Sequence, residues 1–184
     1  MDQNDLGKID LQVDLTFHSA PDLFLIGDIS SSTNIRLVNP EPWVYDIKKW
    51  IISLLENKRD DCPKVLFLAR NLSLSLELID DKKMIELNSF WRQQNQSTDV
   101  LSFPALDQEL LVPFDGFLEL GDIFVSVPMA QRQAHEHHHD LVEELRWLVS
   151  HGLLHLLGWD HPDEESLQKM LTCQEHLLNI EGMV

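Results

Sequence analysis

The segment HGLLHLLGWDH, residues 151–161, carries three histidines in a spacing that suits a metal site. His151 and His155 are four residues apart, so on a helix their side chains lie on one face. Gly158 stands where a helix usually ends, and the chain that folds back there brings His161 to the same place. Three neutral imidazoles arranged in this way bind a zinc ion and leave one coordination position open. Such an ion lowers the pKa of bound water to about 7 and polarises a carbonyl or phosphoryl oxygen.

The residue after the first histidine distinguishes this segment from the zinc peptidases. The peptidase helix reads H-E-x-x-H, and its glutamate is the general base that acts on the zinc-bound water. Gly152 occupies that position here, and it has no side chain that could take a proton. The glycine therefore argues against a peptidase, although a metallopeptidase-like zinc hydrolase remains an alternative.

The other histidines and two glutamates are interpreted as structural or surface groups. The segment HEHHHD, residues 135–140, lies between two predicted helices, where imidazoles can lie in solvent or favour a helix C-terminus. His18 and His176 are isolated in the sequence. Glu143 and Glu144 lie two turns before the predicted ligands. Asp140 and Glu143 have the spacing of a capping box, and we interpret Glu144 as part of a solvated face. The predicted metal site therefore has three protein ligands.

Hydrophobic patterning predicts an α+β fold in which about four strands form a mixed sheet packed with four or five helices. Alternation of apolar and polar residues predicts strands, at residues 9–17, 73–79, 99–103 and 117–127, the last of them interrupted at Gly121. Helical spacing predicts helices, at residues 43–56, 81–92, about 129–136, 141–158 and from about 162 onward. The strands and helices do not alternate strictly, which favours α+β over α/β. The metal site would lie on a C-terminal helix and the loop after it.

The length of 184 residues predicts one domain, residues 1–184, with a substantial core. We interpret residues of about 18–40 as an irregular insertion and those of about 105–116 as a variable loop. Two cysteines, Cys62 and Cys173, fit a reducing compartment better than a disulfide framework. The N-terminus is acidic and polar, unlike a signal peptide, and no stretch of 18 apolar residues occurs. We expect a soluble, cytoplasmic protein.

The charge balance restricts the partners that the protein can bind unaided. Lysine and arginine number 14 against 31 aspartates and glutamates, which gives a formal net charge of −17. Charge of this size repels polyanions at long range and argues against free, non-specific binding of nucleic acid, which depends on cations meeting phosphates. A protein of this charge that acts on nucleic acid would therefore need a locally positive binding site or a partner that delivers the nucleic acid.

Three segments together resemble one family, the YbeY family of bacterial rRNA-maturation endoribonucleases. HGLLHLLGWDH resembles the family signature H-G-x-x-H-L-x-G-[YW]-D-H. LNSFWRQQNQSTDVLSFP, residues 87–104, resembles the L-N-x-x-[YW]-R and T-[DN]-V-L-S-F-P segment, and LGDIFVS, residues 120–126, is similar to the L-G-D-[IV] strand. The resemblance extends over residues of about 72–180 and includes the opening strand. The insertion near residues 18–40 and the loop at 106–116 depart from the family pattern.

The resemblance implies a single zinc ion per chain, bound by His151, His155 and His161. It also implies a metal-dependent, single-strand-specific endoribonuclease that acts in 16S rRNA 3′-end maturation and late ribosome quality control. An arginine important for activity in the family corresponds to Arg92, which without the surrounding motif would be interpreted as a surface ion pair. A non-catalytic ribosome assembly factor with a structural zinc remains an alternative, disfavoured because the site has no fourth protein ligand.

An RNA substrate would explain why a base at position 152 is dispensable. Negative charge develops on phosphoryl oxygens, where a metal and the Arg92 guanidinium can stabilise it, and RNA supplies a 2′-hydroxyl nucleophile. The sequence leaves open whether that hydroxyl or water attacks. We expect Gly152 to leave space for a bulky strand, and Asp160 to orient a ligand histidine or cap the next helix. Because of the net charge, we expect rRNA to be bound in the ribosome or pre-ribosome, with a ribosomal or assembly-factor protein delivering it.

Overall fold

The computed structural model describes residues 11–20, 31–57, 61–106 and 116–180. The strands and helices, in chain order, are β1 (Gln12–Ser19), α1 (Ser31–Val38), α2 (Glu41–Asn57), β2 (Asn71–Ile79), α3 (Asp81–Arg92), β3 (Val100–Pro104), β4 (Phe117–Ser126), α4 (Val127–His137), α5 (Leu141–Leu156) and α6 (Glu164–Leu178). The predicted α+β class is confirmed, with six α-helices in the described ranges where four or five were predicted. Most of the predicted variable loop lies outside those ranges. Within them, no helix combines the length and the apolar character needed to cross a lipid bilayer.

The four strands form one mixed sheet, as predicted, in the order β1-β2-β4-β3. β1, β2 and β4 run parallel, and β3 pairs antiparallel with β4 at the edge. The predicted interruption of β4 at Gly121 is a bulge within a continuous strand, where the register with β2 shifts. Gly121 has a φ of +122°, and a Cβ there would lie 2.1 Å from the carbonyl oxygen of Phe103. Only glycine therefore lets β3 approach β4 this closely.

The segment interpreted as an irregular insertion contains a helix, so that interpretation is wrong for residues 31–38. α1 buries Leu37 completely, and the Arg36 guanidinium lies 2.9 Å from the carboxylate of Asp46 on α2. The same carboxylate accepts a hydrogen bond from Nε of Arg146 on α5, at 3.0 Å. A helix of eight residues is too short for a hydrophobic period to stand out, and its stability comes from these tertiary contacts.

The sheet separates two apolar cores, and the helices that carry the predicted site residues lie on opposite faces. The smaller core contains Ile79, Met84 and Leu101, beneath α3. The larger core takes in α2, α5 and α6. Successive residues of a strand point to opposite faces, so Leu101 faces α3 while its neighbour Ser102 faces α5. The end of α3 therefore reaches the α5 side around the edge strand β3.

Candidate metal centre

The chain reversal after α5 is built by a glycine and two backbone hydrogen bonds. Gly158 adopts a φ of +85°, which is strained for residues with a side chain. Its amide donates to the carbonyl of His155, and the amide of Trp159 donates to the carbonyl of Leu154, both at 3.0 Å. This pair of bonds is a Schellman motif. The turn points the chain back along α5, so that His161 faces the last helical turn.

The start of α5 is fixed by the capping box that the sequence predicted. The Asp140 side chain accepts a hydrogen bond from the Glu143 amide at 2.9 Å, and the Glu143 side chain accepts one from the Asp140 amide. Both ends of the helix are therefore set by local contacts, which fixes the direction in which its histidines project.

The structure brings the three predicted ligands together. Nitrogen atoms of His151, His155 and His161 all lie within 4.8 Å of one another. The ring centroids are separated by 4.7 Å for His151 and His155, 5.5 Å for His151 and His161, and 5.1 Å for His155 and His161. All three side chains are partly buried. The group has the donor set and the spacing of a three-histidine metal site.

In both His151 and His155, Nδ1 points away from the other histidines and donates a hydrogen bond. Nδ1 of His155 lies 2.9 Å from the carbonyl oxygen of Trp159, which can only accept, so this nitrogen carries the proton. Nδ1 of His151 lies 3.2 Å from Oε1 of Gln174. The Gln174 amide nitrogen donates to the carbonyl oxygen of Trp147 at 2.8 Å, which fixes the amide orientation and makes Oε1 the acceptor.

Two unprotonated nitrogens therefore face each other across the site. Nε2 of His151 and Nε2 of His155 lie 3.1 Å apart. In the neutral rings both carry a lone pair and neither carries a hydrogen, so the pair is repulsive unless a cation lies between them. Two nitrogens bound to a tetrahedral zinc ion at about 2.0–2.1 Å lie about 3.3 Å apart. The residues present therefore fit a zinc ion.

Burial keeps two of the histidines in the form that binds metals. Desolvation lowers the pKa of His151 below its usual value, and it does the same to the pKa of His155. The neighbouring imidazoles lower both pKa values further, because two positive rings would repel each other. Both rings are therefore neutral near pH 7, and a metal ion need not displace a proton from them.

Gln174 is a positioning residue that the sequence analysis missed. It is fully buried in α6, and its amide nitrogen also lies 3.2 Å from Oγ of Ser150. The available signal was its place on the apolar face of α6, between Met170, Cys173 and Leu177, where a buried amide needs partners. Its acceptor oxygen holds the His151 ring with Nε2 directed inward.

Replacing Gln174 with leucine is expected to weaken zinc binding by about 10–100-fold, as loss of a partner to a ligand histidine usually does. The His151 ring would lose its acceptor and could rotate or change tautomer. The carbonyl of Trp147 would also lose its donor, which costs about 1–3 kcal/mol of unfolding free energy. Competition with a chelating dye measures the affinity, and Gln168→Leu, on the exposed side of the same helix, is the control. Equal zinc affinity in the two variants would contradict the positioning role.

Arg92 lines the same cleft as the three histidines. The cleft has a volume of about 560 Å³, and its polar lining includes Asp99, Ser102 and Asp160. Arg92 is exposed at the end of α3, and none of the described carboxylates lies within ion-pair distance of it. Within the described ranges the Arg92 side chain therefore has no carboxylate partner, and it lines the cleft beside the histidines.

Two polar residues that line the cleft, one just before β3 and one within it, were not singled out from the sequence. Asp99 accepts hydrogen bonds from the Val100 amide at 2.8 Å and from Nε2 of Gln133 at 3.0 Å. Its negative charge acts on His151 and raises the pKa of that ring, against the larger effect of burial. The Ser102 hydroxyl has no hydrogen-bond partner among the described residues. Both belong to the TDVLSFP segment, so the motif was the signal that pointed to them.

The Asp160 side chain forms a hydrogen bond with the backbone of a predicted ligand. Its Oδ1 accepts a hydrogen bond from the amide of His161 at 2.8 Å. The alternative that it caps the next helix is wrong, because Asp163 caps α6 by accepting from the Ser166 amide at 2.8 Å. Asp160 therefore helps to set the position of His161 within the loop.

Gly152 is needed for packing, so the expectation that it opens space for a substrate strand is wrong. The residue is buried, and a Cβ there would lie 2.9 Å from Cγ2 of Ile123 and 2.9 Å from Oγ of Ser102. Position 152 faces the sheet, and a glutamate there would be forced into strands β3 and β4. The missing side chain lets α5 lie close to the strands that line the cleft.

Replacing Gly152 with alanine is expected to destabilise the protein by about 1–3 kcal/mol, as overpacking usually does. Alanine favours a helix over glycine by about 1 kcal/mol, so a stabilised variant would show that the helix moves away at no cost. Urea unfolding of the metal-free protein measures the difference. The difference between Gln168→Gly and Gln168→Ala, at an exposed position on α6, provides the reference for helix propensity alone.

The histidine-rich segment contains two kinds of histidine. His135 and His138 are exposed, as interpreted from the sequence. His137 and His139 instead contact the carboxylate of Glu144, which is only 3% exposed. The interpretation of Glu144 as part of a solvated face is therefore wrong.

The two isolated histidines lie away from the metal centre. His18 is exposed on β1. His176 is exposed on α6, where its Nε2 lies 3.3 Å from Oγ of Ser53. Both agree with their interpretation as structural or surface groups.

Comparison with known proteins assigns the chain to a family. The family model described as Endoribonuclease YbeY matches residues 41–181. The chain belongs to the YbeY family. A protein named Endoribonuclease YbeY from Prochlorococcus marinus (strain MIT 9313) is 53% identical over 176 residues, which cover 96% of this chain and 94% of that protein. One of the same name from Synechococcus sp. (strain CC9311) is 47% identical, covering 92% of this chain and 96% of that protein.

A solved structure is also similar to the chain. It is the solution structure of TM1509 from Thermotoga maritima, with 20% sequence identity and a TM-score of 0.48. The match covers 90% of this chain and 87% of that one. Arg92 and the three histidines of the candidate metal centre all lie within the range matched by the YbeY family model.

Proposed function

We propose that this YbeY-family protein is a zinc-dependent, single-strand-specific endoribonuclease. The observation that carries the proposal is the pair of facing Nε2 atoms of His151 and His155, 3.1 Å apart, in rings whose Nδ1 atoms are both donors. Two lone pairs at this distance repel each other unless a cation lies between them. The cleft beside the pair is wide and polar, so such a cation would keep an open coordination position for a substrate. The names of the relatives supply the class of substrate, RNA.

Different residues of the protein would bind the metal, bind the phosphate and orient a ligand histidine. His151, His155 and His161 would hold a zinc ion, which would supply Lewis acidity towards a phosphoryl oxygen or an acidified water. Arg92, which lines the same cleft, binds the phosphate through its planar fork of donors and stabilises the charge that develops there. Gln174 keeps the His151 ring in the tautomer that presents Nε2 to the site.

The biological substrate in this proposal is the 3′ end of 16S rRNA, in late ribosome maturation and quality control in the cytoplasm. The net charge of −17 opposes capture of free RNA. A ribosomal or assembly-factor protein would therefore deliver the substrate, and activity on naked RNA would be weak and sensitive to salt. Tight binding of random single strands at physiological salt would contradict this part of the proposal.

An assay that compares substrates tests the proposed activity. Labelled single-stranded RNA, the matching duplex, pre-ribosomes and casein are each incubated with the protein as purified, after chelation, and after zinc is restored. We expect weak cleavage of the free single strand, stronger cleavage of rRNA in pre-ribosomes and none of the duplex or casein, with the activity lost on chelation and recovered with zinc. Casein hydrolysis would favour the metallopeptidase alternative, and no hydrolysis of any substrate, including pre-ribosomes, would favour a non-catalytic assembly factor.

A further inference from the structure

We propose that His137, His139 and Glu144 form a second site for a divalent transition metal of the zinc type, separate from the three-histidine centre. Their ligand atoms lie within 4.8 Å of one another. Two imidazoles and a carboxylate are a donor set that zinc and the neighbouring first-row ions accept. The site would take the metal ion itself as its ligand.

The three residues come from two helices and the loop between them. His137 is the last residue of α4, and His138 after it adopts a left-handed conformation with a φ of 61°, which turns the chain towards α5. Nδ1 of His137 lies 3.4 Å from Oε2 of Glu144, close to the separation of about 3.3 Å expected for two ligands of one tetrahedral ion. Nε2 of His139 also contacts Oε2, in a hydrogen bond that a metal would replace.

The buried carboxylate is the second observation that points to a cation. Glu144 is 3% exposed, and among the described residues its side-chain partners are these two imidazoles, with no lysine or arginine. A carboxylate removed from water is destabilised unless a positive charge offsets the loss of hydration. A metal ion supplies that charge and would be held by the carboxylate and the two imidazoles at once.

The second site is too far from the first to share one phosphate. Glu144 and His151 lie on the same face of α5 and are seven residues apart, about 10 Å along the helix axis. Ions that act together on a phosphodiester lie about 3.5–4 Å apart. A metal at the second site would instead link the end of α4 to the first turns of α5, the helix that carries His151 and His155.

Metal stoichiometry in a background without the first site tests the proposal. His155→Ala combined with His161→Ala leaves one histidine of the first centre, and we expect this protein to retain one tightly bound zinc equivalent after dialysis. Adding His137→Ala should remove that equivalent. His137 is 58% exposed, so its loss should not disturb folding. His135→Ala, an exposed histidine on the same helix, is the matched control and should change nothing.

Cobalt and heat provide readouts that an ion pair alone would not give. In the same background, Co²⁺ should give visible absorption of a four-coordinate site that disappears with His137→Ala. Zinc at about a hundredfold excess over its Kd should raise the melting temperature by about 5–10 °C. Absence of zinc from the background protein, or retention of zinc after His137→Ala, would overturn the proposal and leave Glu144 as the partner of a protonated histidine.

Discussion

A protein with His155 replaced by alanine is expected to lose one metal equivalent and at least about a thousandfold in RNA cleavage. The histidine is the centre of the site, because its Nε2 faces that of His151 and its ring contacts the ring of His161. Without it the two remaining rings cannot hold an ion firmly in competition with water. A metal at a phosphoryl oxygen contributes several kcal/mol to the transition state, which corresponds to a loss of this size.

The same variant should fold normally when metal is absent. In the chelated wild-type protein the two Nε2 lone pairs repel each other. Alanine at position 155 removes that repulsion, and it also removes some packing and the hydrogen bond to the Trp159 carbonyl, so the effects oppose each other. We expect the unfolding free energies of the chelated wild type and the chelated variant to agree within about 1 kcal/mol. Elemental analysis measures the metal content and urea unfolding measures the unfolding free energy, with His135→Ala as the control for both. Full metal content in His155→Ala would show that the ion is not bound at this centre.

The features predicted correctly from the sequence are those set by neighbours along the chain. The cap at Asp140 and the glycine turn at Gly158 depend on contacts within five residues, so their types and spacing were sufficient. The helical spacing of His151 and His155, together with that turn, was enough to place His161 beside them. The family motif added Arg92, whose position around the edge of the sheet no local pattern indicates.

The features that were missed depend on contacts between distant parts of the chain. α1 is helical because Arg36 meets Asp46 and Leu37 enters the core, and neither contact is visible in an eight-residue pattern. Glu144 looked like a solvated acid because its partners lie before α5, one at the end of α4 and one in the loop between the helices. Gly152 was assigned a role in the cleft, whereas its neighbours are Ile123 and Ser102 of the sheet.

The proposed division between metal and arginine explains how the cleft can bind RNA in so acidic a protein. The cleft contains Asp99 and Asp160, which would repel a phosphate. Arg92 and a bound zinc ion are the positive groups that oppose them, so affinity for RNA should depend on both. These two groups would attract one phosphate of the RNA, while the negative surface around the cleft repels the rest of the strand. For this reason we expect a partner protein to deliver the RNA.

Replacing Arg92 with alanine is expected to reduce RNA cleavage by about 10²–10³-fold, the usual loss when one donor to a developing oxyanion is removed. Metal content should not change, because Arg92 is not among the hydrogen-bond partners of the ligand histidines in the described part of the chain. Arg92→Lys keeps the charge and loses the planar fork, so it should recover part of the activity and remain below wild type. The measurement is a single-turnover cleavage rate beside elemental analysis.

The matched control is Lys82→Ala, which removes one positive charge from the exposed surface at the other end of α3, about 15 Å away along the helix. If Arg92 acts only by attracting RNA over long distances, both variants should lose activity alike, and raised salt should remove the difference from wild type. If it binds the phosphate in the cleft, only the Arg92 variants should be impaired, and the defect should persist at high salt because a guanidinium in contact with phosphate is screened less. Retained cleavage by Arg92→Ala would remove this residue from the mechanism.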